Sequence, residues 1–226
     1  FSYFEIWKKL YIKFMKRALN LTKEDFRRDA KRILKKEVQI SARAKHYKMF
    51  KPLLNLLTEL KAKRILIFNP LSYEPNCYIL RRELAKKYEI FAPFMLGISL
   101  EMVKSRLPLV SRTKFGVKEP LSTKIFKKRI DVAIVPTLGV DGNMARIGHG
   151  KGFYDRFFAN LPYRPTLIFV EILDNFTNEI ISEDHDATCD FYLTPSKIYV
   201  KRGIYDRNFN RLRNRCGGRW RRLSHR

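Results

Sequence analysis

The chain has 226 residues, 45% apolar and 31% charged, with a formal net charge of +25. That is long enough to bury a full core without disulfide or metal staples, and too apolar for a disordered chain. Three widely spaced cysteines, Cys77, Cys189 and Cys216, include no C-x-x-C pair, which argues against a disulfide framework or a structural zinc site and fits a reducing cytoplasm.

Residues 1–21 place Phe4, Trp7, Tyr11, Phe14 and Ala18 at helical spacing with lysines between them, the pattern of an amphipathic N-terminal extension. The lysines interrupt the apolar core that a signal peptide needs, and no run reaches the ~20 apolar residues of a membrane span. Thr22 followed by Asp25 opens a long basic helix to about Lys45, and a second helix is expected over 47–60. Residues 64–68 form an apolar run stopped by Asn69 and Pro70, and 131–135 a second stopped by Pro136; both read as buried parallel strands. Between them a helix is expected over 74–87 and a strand over 88–92. Beyond them come a helix over 152–161 and strands over 166–171 and 191–194. Strands alternating with helices predict a single three-layer α/β domain over residues 22–200, a mostly parallel sheet with helices on both faces. Residues 197–226 carry eleven Lys/Arg against one Asp. The segment 201–226 therefore reads as an Arg-rich C-terminal tail, and both basic ends favour polyanions such as nucleic acid or an anionic surface.

The chemistry concentrates after the strand at 131–135. Residues 146–156 read Arg-Ile-Gly-His-Gly-Lys-Gly-Phe-Tyr-Asp-Arg. Alternating Gly148, Gly150 and Gly152 let backbone N–H groups turn toward an anion, and the helix that follows adds its positive end. Arg146 and Lys151 supply charge for phosphate oxygens, and Asp155 a carboxylate that suits Mg2+ held against them. The spacing is neither the Rossmann G-x-G-x-x-G nor the Walker G-x-x-x-x-G-K-[ST]. His149 reads as a plain loop residue.

Strand, arginine, three glycines, lysine and Tyr-Asp together resemble the signature of the 5-formyltetrahydrofolate cyclo-ligase (methenyltetrahydrofolate synthetase) family. Four further patches support the resemblance over roughly residues 22–200: Lys23 with Arg27, the run from Arg64 to Glu74, the Phe115-to-Pro120 segment with its Glu-Pro, and the His185-Asp186 pair. Residues 136–141 depart from the family's usual P-G-V-A-F-D. The resemblance implies an ATP- and Mg2+-dependent enzyme that converts 5-formyltetrahydrofolate to 5,10-methenyltetrahydrofolate, ADP and phosphate through a phosphorylated formyl group, with no obligate protein partner. It further implies that Lys23, Arg27, Arg146, Gly148, Gly150, Lys151, Gly152 and Tyr154 bind the nucleotide, Arg146 and Lys151 being catalytic. Glu74, Phe115 and Tyr154 would then shape the folate pocket, and Asp155 and Asp186 hold the metal. Without the resemblance, Lys23 and Arg27 read as a solvated helix face. The competing reading is a catalytically degenerate relative that binds RNA or DNA through its basic ends.

Overall fold

The computed structural model describes residues 21–40, 42–106, 108–111, 116–121, 124–203 and 205–223. The expected N-terminal amphipathic extension, 1–21, lies almost wholly outside them. Helices α1 (Lys23–Ile40) and α2 (Ala42–Glu59) come first. The second begins earlier than the sequence predicts, because His46, Met49, Phe50, Leu53, Leu56 and Leu57 form one continuous buried stripe at helical spacing.

Strand β1 (Arg64–Ile67) follows. The long helix expected over 74–87 is reduced to a 3-10 turn (Cys77–Leu80) and a short α3 (Arg81–Leu84); Pro70 and Pro75 keep the preceding residues in an open loop. Next come β2 (Glu89–Leu96) and its antiparallel partner β3 (Ser99–Lys104), joined through Gly97 at φ 62°. A small hairpin pairs β4 (Leu109–Ser111) with β5 (Lys118–Pro120). Strand β6 (Val132–Pro136) leads to a second small ladder of β7 (Gly139–Val140) and β8 (Arg146–Ile147), and then to α4 (Phe153–Ala159). Strands β9 (Thr166–Val170), β10 (Phe191–Leu193) and β11 (Ile198–Lys201), helix α5 (Phe209–Cys216) and strand β12 (Trp220–Leu223) complete the order.

The central eight-stranded sheet runs β12-β11-β10-β9-β6-β1-β2-β3. Only the β2–β3 and β10–β11 pairs are antiparallel. Alternation along the strands divides the core into two layers. Ile65, Ile67, Val132, Ile134, Ile168 and Val170 face α1, α2 and α5, whereas Leu66, Ala133, Val135, Leu167 and Phe169 face α4 and the β3 side. The three-layer α/β reading therefore describes the molecule.

The Arg-rich segment after Lys201 joins the sheet. Helix α5 buries Phe209, Leu212 and Cys216, and β12 pairs parallel to β11 from Trp220 to Leu223. Trp220 meets Phe191 and Phe209 edge to face, at centroid distances of 6.3 and 5.9 Å. Burying Phe209 and Leu212 stabilises the fold by roughly 1.5–3 kcal/mol each. The arginines lie on the outer faces of elements that the core holds in place.

Topology also places the site. From β1 the chain first goes to β2 on one side and later returns to β6 on the other. The carboxyl ends of β1 and β6 therefore diverge into a crevice, where open α/β sheets take their ligands.

Candidate functional site

Two adjoining pockets open at that crevice. The first, about 210 Å³, is walled by Phe68, Leu71, Pro93, Met95, Leu100 and Phe153, with Asn69, Tyr73, Glu74, Glu119, Arg146, His149 and Tyr154 among its polar groups. The second, about 480 Å³, is lined by Lys23, Arg27, Gly148, Gly150, Asp155, Arg156, Glu183 and Asp186. Lys151 and Gly152 belong to both. One pocket is apolar with a few directed polar groups, the other more polar and lined by Lys23, Arg27, Lys151 and Arg156 together with the carboxylates of Glu24, Asp155, Glu183 and Asp186, and the glycine loop is their common wall.

The loop is held from three directions. Arg27 donates its Nε–H from α1 to the Gly148 carbonyl at 3.0 Å. Arg156 donates to the Lys151 carbonyl at 2.8 Å from within α4. Beneath the loop lies Arg146, only 6% exposed. Its Nε–H donates to the Pro136 carbonyl at 3.1 Å, and its guanidinium lies 4.9 Å from the Tyr154 ring centroid and 3.7 Å from Asp155. A Cβ on residue 148 would come within 2.1 Å of that guanidinium, so any other residue there would displace the buried Arg146 side chain. Gly152, at φ 62°, caps α4 in a backbone region that other residues rarely adopt.

Most of the site residues expected from the sequence converge here, 163 residues of separation notwithstanding in the case of Lys23 and Asp186. That pair forms an ion pair and hydrogen bond linking α1 to the loop after β9. Asp186 also accepts from the Glu183 N–H at 2.8 Å, and Asp155 accepts from the Ala187 N–H at 3.2 Å. Arg146 is placed differently from a hand reaching into the polar pocket: it lines the apolar one and props the loop from below. Tyr154 likewise lines only the apolar pocket, where burial pushes its phenol above the usual range. Phe115 lies outside the described residues.

Glu74, on the loop that Pro70 and Pro75 keep non-helical, is 6% exposed. Burial pushes its carboxyl up from an ordinary 4.5 to about 7, against the Leu71 N–H it accepts from and the nearby Arg146, which both favour the charged form. A folded-state value above the unfolded one means that the folded protein binds more protons between about pH 4.5 and 7, so stability falls as pH rises through that window. Glu74→Gln, which keeps the acceptor for Leu71, should therefore gain stability over the parent above about pH 7, by up to about 3 kcal/mol, and show no gain near pH 4. Thermal unfolding of both proteins across pH reads this directly; a gain independent of pH would exclude a strained carboxylate.

Three groups had no role in the sequence reading. The Tyr73 hydroxyl meets His149 Nε2 at 2.9 Å across the apolar pocket, and burial with the nearby cations Arg146, Lys31 and Arg27 lowers the imidazole to about 4. It is neutral at pH 7, and the ring tautomer decides which of the two groups donates. Glu119, 2% exposed, accepts from the Met95 N–H at 2.7 Å and so ties β5 to the pocket wall on β2. It lies in the Glu-Pro pair quoted above, which was the available signal. For Tyr73 no sequence signal existed, since its partner is 76 residues away.

The architecture and the paired pockets define a doubly wound α/β ligand-binding protein with a basic glycine loop at the topological switch point. Residues 19–195 match the model of the 5-formyltetrahydrofolate cyclo-ligase family, and the chain belongs to that family. A 5-formyltetrahydrofolate cyclo-ligase of Mycolicibacterium smegmatis is 36% identical over 112 residues, covering 48% of this chain and 55% of that protein. A probable 5-formyltetrahydrofolate cyclo-ligase of Schizosaccharomyces pombe is 28% identical over 129 residues, 48% of this chain and 62% of that one. The chain thus spans less than two thirds of the length of these relatives. Among solved structures, a 5,10-methenyltetrahydrofolate synthetase from Aquifex aeolicus superposes with a TM-score of 0.64 at 22% identity, over 78% of this chain and 91% of that one. A synthetase of the same name from Mycoplasma pneumoniae gives 0.58 at 18% identity, over 76% of this chain and 97% of that one. These two establish likeness of fold.

Proposed function

We propose that the chain is an ATP- and Mg2+-dependent cyclo-ligase that converts 5-formyltetrahydrofolate to 5,10-methenyltetrahydrofolate with release of ADP and phosphate. The observation that carries the proposal is the shared wall: an apolar pocket suited to a flat heterocycle meets, at Lys151 and Gly152, a pocket whose Lys23, Arg27, Lys151 and Arg156 suit a triphosphate and whose carboxylates suit its metal. A group transferred from one ligand to the other has no further to travel than across that wall. Membership of the family and the two named relatives support the substrate.

When bound, ATP with its metal supplies the phosphoryl group that turns the formyl oxygen into a leaving group, so that nitrogen 10 of the folate can close the ring. Such a transfer needs positioning and charge neutralisation more than a protein nucleophile. Lys23, Arg27 and Lys151 neutralise phosphate oxygens, and the loop N–H groups at Gly148, Gly150 and Gly152 cradle them. Phe68, Leu71, Met95, Phe153 and Tyr154 exclude water from the reacting face. Glu74, whose carboxyl is shifted to about 7, can hold or release a proton at a ring nitrogen near neutral pH.

The residues fit a divalent cation shared with phosphates. Asp155 Oδ2 and Asp186 Oδ1 are each outside any hydrogen bond among the described residues. Mg2+ is commonly held by one or two carboxylates, substrate phosphates and water, so the lack of a cluster of three metal-binding side chains among the described residues is no obstacle. Asp155→Asn keeps the acceptor for Ala187 but removes the charge. Apparent Mg2+ affinity in the assay should weaken about tenfold or more, and the protein should melt lower because the buried Arg146 loses its anion; an unaltered metal dependence would remove Asp155 from the metal site. The function itself is tested by mixing the protein with 5-formyltetrahydrofolate and Mg-ATP and following methenyl product by absorbance. No product at any metal or nucleotide concentration would overturn it.

A further inference from the structure

A third groove, about 610 Å³, shares no lining residue with either pocket. It runs between α2, the turn joining β10 to β11, and the turn joining α5 to β12. Lys48, Lys51, Lys197, Arg215 and Arg219 line it, and no Asp or Glu does. Lys197 and Arg215 are already paired, with Asp174 at 3.1 Å and Glu59 at 3.0 Å. Lys48, Lys51 and Arg219 are exposed and have no ion pair among the described residues. At the rim stands Tyr47, 52% exposed, its ring steadied by an edge contact with Phe50 at 5.4 Å. The groove forms where the family-matched portion, which ends at residue 195, meets the Arg-rich segment that follows it.

We propose that this groove binds single-stranded nucleic acid. Cations spaced along a concave surface without carboxylates match a phosphate backbone, and a steadied, exposed aromatic ring is a platform for a base. An anionic membrane is the less suitable occupant, because surface binding to lipid wants protruding apolar side chains. Among the described residues the exposed large apolar groups, such as Ile33, Ile98 and Ile180, lie elsewhere, and Tyr47 is the one that lines the groove. The site is separate from the proposed catalytic pockets, so its test does not depend on them.

The experiment titrates the whole chain against fluorescently labelled oligouridine by anisotropy. With about three phosphates neutralised by the three unpaired cations, and a slope of about −0.7 each, affinity should fall roughly twentyfold between about 50 and 200 mM salt. The triple variant Lys48→Glu, Lys51→Glu, Arg219→Glu should weaken binding tenfold or more, while its melting temperature and any cyclo-ligase turnover match the parent. Tyr47→Ala should weaken oligouridine at least fivefold yet leave heparin binding unchanged, since heparin has no base to stack. Failure of the parent to bind oligouridine would overturn the proposal. So would undiminished binding by the triple variant, or equal losses for heparin and oligouridine in Tyr47→Ala. Capture by phosphatidylserine vesicles that the triple variant loses, with no oligouridine binding by the parent, would assign the groove to a lipid surface instead.

Discussion

Lys151→Ala is expected to lower turnover by a factor of about a hundred or more, the scale of losing one well-aimed electrostatic stabiliser. Lys151 is the charged side chain common to both pockets. Its backbone carbonyl is fixed by Arg156 at 2.8 Å, whereas its exposed ammonium makes no ion pair among the described residues. The charge is therefore available to a group crossing between the ligands and is not needed for the fold. Melting should stay within about 0.5 kcal/mol of the parent, as for other surface substitutions, and kcat should fall further than either KM rises, because the interaction is strongest while the phosphoryl group is in transit. Steady-state kinetics with each substrate varied in turn provides the check. A rise in KM alone would make Lys151 a binding residue, and unchanged kinetics would remove it from the site.

Arg146→Ala is expected to be more severe, because it strikes the support of the site as well as its charge. The guanidinium holds the Pro136 carbonyl, faces Asp155 and Tyr154, and fills the space beneath Gly148. It is also the cation that favours the charged form of Glu74. Its loss leaves the largely buried Asp155 carboxylate without its cation, a change that costs up to about 3–5 kcal/mol where fully buried pairs have been broken. Turnover should fall by two to three orders of magnitude as the loop loses its floor. Arg146→Lys separates the two effects. One ammonium restores a charge near Asp155 but cannot also serve the Pro136 carbonyl and lie flat against Tyr154, so stability should recover in part while turnover stays low. Thermal melts and kinetics of the two variants together decide the matter. Normal turnover in Arg146→Lys would show that the planar fork is not used.

The sequence by itself determined the elements whose signals are local. Strands β1, β6 and β9 are short apolar runs, the first two closed by Asn-Pro or Pro, and burial on both faces makes such runs legible as parallel strands. The glycine loop stood out as a candidate anion site because three alternating glycines, a lysine, an arginine and Tyr-Asp come together after a strand, and family membership is legible in the same residues.

What only the tertiary structure decided depends on groups distant in sequence. The ion pair of Lys23 with Asp186 spans 163 residues, and nothing near either residue announces the other. The position of Arg146 beneath the loop, and not above it, follows from the Pro136 carbonyl and the Tyr154 ring, both of which the fold delivers. The shift of Glu74 is a consequence of burial, which a carboxylate in a proline-bounded loop does not advertise. The segment after Lys201 shows the same limit from the opposite side. Its density of arginine reads as a basic tail, yet Phe209, Leu212 and Cys216 lie three and four residues apart and form an apolar stripe on α5. That stripe acquires meaning only once the β11 edge and the α2 face are present to bury it.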